Sequence, residues 1–309
     1  MTKYVFGHKK PDTDTVVSSI LYANYLNSKG VEAKPVVLGE INNETKFILE
    51  KFGFEIPEEI ETLPENSEVV LVDHNEEKQT ISNICNLTID TIIDHHKFNF
   101  QTSSPLNIRA EKLGSTCSIL FKIFKENDYK ISKEEAGILA SGIISDTLYF
   151  RSPTSTDEDK QILEEVNKIA ETEDLEKYSL DMFNAKSDLG DMEIEKIVKM
   201  DYKEFEFAGE KYGVGVIETT NPDYVLKRKD EMLKALEKIK EEDNLNGILV
   251  SVIDILNEHN KTFAVGEHEA EVLRAVFNGE EIEHCVYSLG NVLSRKKQII
   301  PKLEAHFSK

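Results

Sequence analysis

The chain has 309 residues, of which 39% are hydrophobic and 31% are charged. This length and composition predict a folded chain with two domains, each able to bury its own core. With 58 acidic residues against 37 basic ones, the formal net charge is −21. Such acidity argues against binding along nucleic-acid backbones, because that affinity rests on many Lys and Arg contacts to phosphates. No apolar run approaches the roughly 20 residues needed to cross a bilayer.

The N-terminus and the cysteines indicate the compartment. Residues 1–7 lead directly into a strand and lack a signal-peptide profile. The three cysteines are widely spaced and include no CxxC pair, which argues against a disulfide framework or a thiolate zinc site. We therefore predict a cytoplasmic protein with buried free thiols that binds neither membranes nor nucleic acid.

The first predicted strand-to-helix turn carries three candidate ligands. Tyr4–Gly7 predicts a buried strand, and an amphipathic helix follows. Between them, His8, Asp12 and Asp14 lie at positions i, i+4 and i+6. Ordinary helix capping would explain the two acidic residues. Alternatively, the imidazole and the carboxylates converge beyond the carboxyl end of a sheet, where open α/β folds place their sites.

Two later strands end in residues of the same kind. The continuous apolar run Val69–Val72 is typical of a parallel strand covered on both faces, and it ends in Asp73. After a predicted polar helix, another apolar run ends in Asp94-His95-His96. Exposed histidines at a strand end would explain this triplet alone. Three successive strands with such endings indicate a functional site.

A buried helix supplies a further carboxylate. The segment Ala136–Ser145 is small and apolar almost all round, which predicts deep burial. Asp146 closes this helix, and a buried carboxylate needs a partner or a metal ion. Gly114-Ser115-Thr116 opens another helix, where a Ser or Thr side chain is an ordinary cap or the backbone amides bind an anion.

The second half of the chain predicts a smaller α+β domain after a polar break at 186–191. Its predicted elements are a hairpin of 202–207 with 212–218, a helix at 222–242, strands at 247–256 and 262–266, and a helix at 267–277. Near its end, Arg295-Lys296-Lys297 form three consecutive cations. They are either the solvent-exposed end of a helix or an anion-binding site. In such a site, Arg295 would form bidentate hydrogen bonds to phosphate oxygens, and the Lys296 ammonium group would add a positive charge.

Four carboxylates and two imidazoles in one cleft require metal ions, because like charges cannot crowd together without cations. The set is His8, Asp12, Asp14, Asp73, His95 and Asp146. These side chains suit two ions, and the mixture of imidazole and carboxylate favours Mn²⁺, Co²⁺, Fe²⁺ or Zn²⁺ over Mg²⁺. Two ions roughly 3.5–4 Å apart are a common device for hydrolysing phosphate bonds. The residues alone predict a metal-dependent phosphohydrolase and leave its substrate open.

Five motifs, in the same order along the chain, resemble those of the family II inorganic pyrophosphatases, which are manganese- or cobalt-dependent members of the DHH phosphoesterase superfamily. They are Gly7-His8-x-x-Pro11-Asp12-Thr13-Asp14, Val72-Asp73-His74-Asn75-Glu76, Asp94-His95-His96, Ser145-Asp146-Thr147 and Ser294-Arg295-Lys296-Lys297-Gln298. The resemblance therefore runs from the first strand to the last turn. One departure is Lys10, which stands where the family usually has Asn.

The resemblance implies an α/β fold: an N-terminal domain at residues 1–187 with a mainly parallel sheet flanked by helices, a linker at 188–192, and a smaller α+β C-terminal domain with a mixed sheet at 193–309. It implies that one metal is held by His8 and Asp12, the other by Asp14 and His95, and that both are bridged by Asp73 and Asp146. It assigns the phosphate contacts to His96, Lys203, Arg295 and Lys296. Asp94 is expected to orient a neighbouring imidazole.

The implied activity is hydrolysis of pyrophosphate to two orthophosphates by in-line attack of a metal-bridging hydroxide. Two Mn²⁺ or Co²⁺ ions per subunit, Mg²⁺ with the substrate and a homodimer are implied with it. The catalytic residues would be His96, Asp73 and Asp146. The alternatives are a DHH-type polyphosphatase, an oligonucleotide phosphodiesterase and a non-catalytic metal-binding module. Related nucleases carry a Gly-Gly-Gly-His-type motif where this chain has Ser294–Gln298, and related polyphosphatases tend to lack the residue equivalent to His96.

Overall fold

A computed structural model describes residues 2–102, 104–187, 190 and 192–308. The chain divides into two compact units, Met1–Lys186 and Ser187–Lys309. The predicted linker at 188–192 includes Asp188, Leu189 and Asp191, which lie outside the described residues, so its position stays a prediction. Within the described ranges, no helix has the length and apolarity that a bilayer span demands.

The first unit is built on a six-stranded sheet. Its strands are β1 (Lys3–Phe6), β2 (Ala33–Val37), β3 (Glu58–Glu59), β4 (Glu68–Val72), β5 (Thr88–Asp94) and β6 (Asn107–Ala110). They lie in the order β3-β2-β1-β4-β5-β6, and every recorded pairing is parallel. The predicted parallel α/β sheet is confirmed.

Among the residues that the structure describes, six helices accompany this sheet. They are α1 (Thr13–Ser28), α2 (Asn43–Phe52), α3 (Thr116–Glu126), α4 (Lys133–Thr147), α5 (Asp157–Ala170) and α6 (Leu175–Ser187), the last of which ends at the first residue of the second unit. Helix α4 is buried along nearly its whole length, as its small apolar residues predict. A Cβ atom at Gly142 of this helix would lie 2.4 Å from Cys117 Sγ, so glycine lets α3 and α4 approach closely.

Two expectations are wrong. The polar helix predicted after Asp73 is absent from the described chain, which forms only short 3₁₀ turns at Glu77–Gln79 and Ile84–Asn86. This segment lacks the apolar period that would give a longer helix a buried face. The cysteines are not all buried: Cys117 is buried, whereas Cys85 is exposed and Cys285 is half-buried.

The second unit carries a six-stranded mixed sheet in the order β11-β12-β10-β9-β8-β7. Its strands are β7 (Tyr202–Phe207), β8 (Glu210–Thr219), β9 (Gly247–Asp254), β10 (His259–Ala264), β11 (Glu280–Glu283) and β12 (Val286–Gly290). The pairing of β8 with β9 is parallel and the other recorded pairings are antiparallel. This confirms the predicted mixed sheet.

The helices of the second unit are α7 (Ile194–Met200), α8 (Asp223–Leu226), α9 (Lys229–Glu242), α10 (Glu267–Phe277) and α11 (Ile300–Phe307). The single helix expected over residues 222–242 is therefore two helices, separated at Lys227 and Arg228. A π-helical turn, Arg295–Ile299, precedes α11 and contains the predicted cation run. Two apolar clusters form the core of this unit.

Candidate metal centre

The carboxyl ends of β1, β4 and β5 lie side by side, because these three strands are neighbours in the first sheet. The structure brings all six predicted metal-ligating residues together there. Three groups each offer ligand atoms that lie within 4.8 Å of one another: His8 with Asp12 and Asp73; Asp14 with Asp73, His95 and Asp146; and Asp73 with His95 and His96. Asp73 belongs to every group, whereas Asp146 belongs to the second alone.

Asp73 is held rigidly at the centre of this cluster. It is 1% exposed and has a positive φ of 60°, a conformation that Asp adopts more readily than most residues. Thr15 Oγ1 donates to its Oδ2 at 2.6 Å, and Thr116 Oγ1 donates to its Oδ1 at 3.0 Å. A Cβ atom at Gly7 would lie 2.3 Å from Thr15 Cγ2, so only glycine leaves room for this threonine. Both carboxylate oxygens therefore have fixed directions.

Asp14 is fully buried at the N-terminus of helix α3. The backbone N–H groups of Thr116 and Cys117 donate to its two oxygens at 2.6 and 3.0 Å. The anion at this helix start is therefore the protein's own carboxylate, which the helix dipole favours. Burial nevertheless raises the pKa of Asp14 well above its usual value, and the charges of Asp73 and Asp146 raise it further.

His95 presents one ring nitrogen to two carboxylates. Its Nδ1–H donates to the Leu113 carbonyl at 2.9 Å, which leaves Nε2 as the free nitrogen. Nε2 lies 3.4 Å from Asp73 Oδ1 and 3.3 Å from Asp146 Oδ2. This buried nitrogen has no hydrogen-bond partner of good geometry among the described residues. Burial lowers the pKa of His95, but the carboxylates of Asp146 and Asp73 outweigh it and raise the pKa to about 12.

His8 has the same arrangement on the other side of Asp73. Its Nδ1–H donates to the Lys9 carbonyl at 2.8 Å, and its Nε2 lies 3.3 Å from Asp12 Oδ2 and 3.6 Å from Asp73 Oδ2. Burial lowers the pKa of His8, but the Asp12 contact outweighs it and raises the pKa to about 9. Asp12 also caps α1, since its Oδ1 accepts the Thr15 N–H at 3.0 Å. The capping explanation and the site explanation therefore both apply to this residue.

This donor set fits divalent metal ions. Each imidazole is oriented by a backbone carbonyl, a common arrangement for metal-bound histidine, and turns Nε2 toward carboxylate oxygens. When each imidazole is neutral, the lone pair on its Nε2 faces the negative charge of the neighbouring carboxylates. A cation bound between the nitrogen and the carboxylate oxygens would remove this repulsion. Burial also raises the pKa of Asp146, to about 7. The metal-free cluster therefore retains protons that bound cations would replace.

His96 differs from its neighbour. Its side chain is 51% exposed, and both its backbone N–H and its Nδ1 contact Asp94 Oδ1, at 3.0 and 2.9 Å. Asp94 thus orients His96, while the Leu113 carbonyl orients His95. Asn75 donates to the other Asp94 oxygen at 2.6 Å. The hydrogen bond from Asp94 raises the pKa of His96.

The sequence gives little indication of the residues that support the cluster. Thr15, Thr116 and the Leu113 carbonyl contact predicted ligands but carry no spacing signal of their own. Asp159 is fully buried and accepts from the Gly114 N–H at 2.8 Å, which fixes the loop before α3. The Gly114-Ser115-Thr116 turn was the available signal, and both of its interpretations apply. Ser115 caps α3 by accepting the Ser118 N–H at 3.1 Å, and the amides of Thr116 and Cys117 bind an anion, which is Asp14.

The predicted phosphate-binding residues of the second unit are cationic and lie near the surface. Lys203 and Lys296 are exposed. Arg295 donates through Nη1 to the Asp201 carbonyl at 2.7 Å and through Nη2 to Asp201 Oδ1 at 2.5 Å. Both terminal nitrogens of its guanidinium group therefore donate to Asp201, one to the backbone carbonyl and one to the carboxylate.

Two family profiles together match most of the chain. The DHH family N-terminal domain matches residues 2–143, and the DHHA2 domain matches residues 180–306. The parallel sheet and the Asp and His cluster beyond its strand ends lie within the first match, except for Asp146. The fold and the cluster thus define a DHH-type protein with a DHHA2 domain.

Relatives that match over nearly their whole length identify the family within this class. A Deinococcus radiodurans protein named "Probable manganese-dependent inorganic pyrophosphatase" is 45% identical, with 98% of each chain covered. The "Manganese-dependent inorganic pyrophosphatase" of Bacillus subtilis is 42% identical, with 97% of this chain and 96% of its own covered. A solved Methanococcus jannaschii structure, described as a "putative family II inorganic pyrophosphatase", has a TM-score of 0.65 and 34% identity, covering 99% of this chain and 100% of its own. The chain belongs to the manganese-dependent, family II inorganic pyrophosphatases.

Proposed function

We propose that this chain hydrolyses inorganic pyrophosphate to two orthophosphates with divalent cations held at the six-residue cluster. The observation that carries the proposal is the pair of histidines, His8 and His95, that turn Nε2 toward shared carboxylates. The names of the full-length relatives support pyrophosphate as the substrate and manganese as the metal.

The proposed ligand set follows the three groups of ligand atoms. His8 and Asp12 would hold one ion, Asp14 and His95 the other, and Asp73 would bridge them, which its membership in every group supports. A bridging role for Asp146 is the family expectation. When bound, such ions lower the pKa of a water molecule and neutralise charge on the phosphates.

The chain's own residues would prepare this site by fixing the ligands. Thr15 and Thr116 hold both oxygens of Asp73, and the α3 amides hold those of Asp14. These ligands need no reorganisation when the ions and the substrate bind, and such preorganisation is a large source of catalytic rate.

His96 is the proposed proton donor and phosphate contact. Asp94 accepts from its Nδ1–H and so leaves Nε2 available on a half-exposed side chain. Because the Asp94 contact raises the pKa of His96, the ring retains a second proton more readily. From Nε2 it could donate this proton to the departing phosphate.

From the second unit, we propose Lys203, Arg295 and Lys296 as further phosphate contacts. Their charges suit a small anion in a chain whose net charge is −21. Arg295 would exchange its oxygen partners at Asp201 for phosphate oxygens, to which its planar fork is equally suited. The linker at 188–192, two ions per subunit, Co²⁺ as a substitute metal, Mg²⁺ with the substrate, the homodimer and the cytoplasmic location are parts of the same proposal.

Phosphate release from three substrates tests the proposed function. The purified protein is incubated with pyrophosphate, tripolyphosphate or a short oligonucleotide, with Mn²⁺ or with Mg²⁺ alone. We expect rapid release from pyrophosphate with Mn²⁺. Preferred cleavage of tripolyphosphate or of the oligonucleotide would instead support the polyphosphatase or the phosphodiesterase alternative.

A further inference from the structure

A further buried carboxylate lies outside the proposed ligand set but contacts the chain segments that carry it. Glu44, in the first turn of helix α2, is 0% exposed and is absent from the three groups of candidate ligands. Its Oε2 accepts from Thr13 Oγ1 at 2.9 Å and from Ser145 Oγ at 2.7 Å. Its Oε1 is buried and has no hydrogen-bond partner in the part of the chain that the structure describes.

The two hydroxyl groups that Glu44 accepts from belong to the chain segments that carry the candidate ligands. Thr13 lies between Asp12 and Asp14 at the start of α1, and Ser145 directly precedes Asp146 near the end of α4. A single carboxylate oxygen therefore joins two segments that are distant in sequence and supply three of the six proposed ligands.

The charge of Glu44 has a counterion. Lys186 Nζ, from the last helix of the first unit, lies 3.4 Å from Glu44 Oε2. Burying a carboxylate is costly even when it is paired, so a position that served packing alone would be filled better by an apolar residue. Because Glu44 contacts both segments that carry proposed ligands, a role in holding those ligands explains why a carboxylate is buried at this position.

We propose that Glu44 is a positioning residue that fixes the separation of Asp12 and Asp14 from Asp146 and thereby sets metal affinity. This inference rests on the proposed metal ligands. Glu44 would act through the hydroxyl groups of Thr13 and Ser145, with Lys186 stabilising its charge. Residues that orient metal ligands typically change affinity or activity by about 10–100-fold when they are removed.

The test measures Mn²⁺ affinity directly, by titration followed with electron paramagnetic resonance, in Glu44→Ala and Glu44→Gln. We expect Glu44→Ala to weaken Mn²⁺ binding by about 10–100-fold. Glu44→Gln should recover most of this loss, because its amide oxygen can still accept from Thr13 and Ser145. Ser145→Ala should add little to Glu44→Ala, since both remove the same connection.

Glu135→Gln is the matched control. Glu135 is also a buried carboxylate of the first unit, and it accepts from Asn24, Tyr129 and the Ser132 N–H at the start of α4, the end opposite Asp146. Its substitution should lower the melting temperature and leave Mn²⁺ affinity unchanged. If Glu44→Ala does not fold, as judged by circular dichroism, the Thr13→Val/Ser145→Ala variant replaces it with the same expected loss.

The outcomes separate this inference from the proposed function. Mn²⁺ affinity within about twofold of the wild type in Glu44→Ala, or in the replacement variant, would contradict the positioning role, since orienting residues change affinity by much more. Tight Mn²⁺ binding by the wild type without phosphate release from pyrophosphate would contradict the proposed function alone. A wild type that binds no Mn²⁺ would overturn both.

Discussion

The two units hold their predicted functional residues in opposite ways. In the first unit, Asp14 and Asp73 are almost completely buried, and both oxygens of each carboxylate accept hydrogen bonds. In the second unit, Lys203 and Lys296 are exposed, and Arg295 donates hydrogen bonds to Asp201. Metal ions need ligands whose geometry is fixed in advance, whereas long cationic side chains can rearrange around a phosphate. Substitutions in the first unit should therefore alter metal affinity, and those in the second should alter substrate use.

The largest expected effect follows from removing a proposed ligand in the first unit. His95→Ala should weaken Mn²⁺ binding by more than about 100-fold, since loss of a ligand costs more than loss of a residue that orients one. Calorimetric Mn²⁺ titration would measure the affinity. His268→Ala is the control, because His268 is exposed and pairs with Glu210 in the second unit. Unchanged affinity in His95→Ala would remove His95 from the ligand set.

Metal affinity should fall as the pH is lowered. In the metal-free protein, the pKa of His8 is about 9 and that of His95 about 12, so both imidazoles are protonated at neutral pH and must lose a proton to bind metal. Affinity should fall about tenfold per pH unit for each proton released. The slope should steepen below pH 7, where Asp146, with a pKa of about 7, also retains a proton. Calorimetry in buffers of different ionisation enthalpy would count these protons, and an affinity independent of pH would contradict the assignment.

In the second unit, Arg295→Ala should lower kcat/KM for pyrophosphate by about 10–100-fold, because loss of a charge-assisted hydrogen bond to phosphate has about this effect. Steady-state kinetics at saturating Mn²⁺ would measure this. The Mn²⁺ affinity should be unchanged. Arg274→Ala is the matched control, since Arg274 is a partly exposed arginine of the same unit that pairs with Glu267. If Arg295→Ala lost metal instead of substrate affinity, the contrast between the two units would fail.

The smallest expected effect concerns Lys10, the departure from the family pattern. Lys10 has a φ of 56°, a left-handed conformation that Asn adopts more readily than Lys. Lys10→Asn should therefore raise the free energy of unfolding by about 0.5–1 kcal/mol. Urea unfolding of the metal-free protein would measure this change. Lys9→Asn, at a neighbouring exposed position outside that conformation, should give no such gain.

The proposed metal ligands could be predicted from the sequence, whereas the residues that hydrogen-bond to them could not. Successive parallel strands bring their carboxyl ends to one sheet edge, so His8, Asp73 and His95 could be placed together from the pattern alone. Thr116 at the start of α3 and Leu113 in the preceding loop reach the cluster through the packing of α3, which no periodic pattern encodes. Arg295 could be identified by charge, but its contact with Asp201 joins residues far apart in sequence.

Among the elements, those with clear start and stop signals were predicted best. The sequence predicts a helix over about residues 43–52, and helix α2 has these bounds, since Asn42 caps its start and Gly53, in a left-handed conformation, ends it. Helices α6 and α7 were not anticipated because they flank the polar segment that the sequence predicted as a linker. Strands β11 and β12 were also missed; β11 is exposed along its length and so lacks an alternating apolar pattern.

The support of Asp14 by backbone amides affects how the protein tolerates mutation. Main-chain donors are the same for nearly every residue type, so side-chain changes at Thr116 and Cys117 preserve both hydrogen bonds to this carboxylate. Proline is the exception, because it has no N–H group. Proline is normally well tolerated in the first turn of a helix. At the start of α3 it would instead remove a donor to Asp14, so this helix start should exclude proline, while the Thr116 side chain is constrained separately by its hydrogen bond to Asp73.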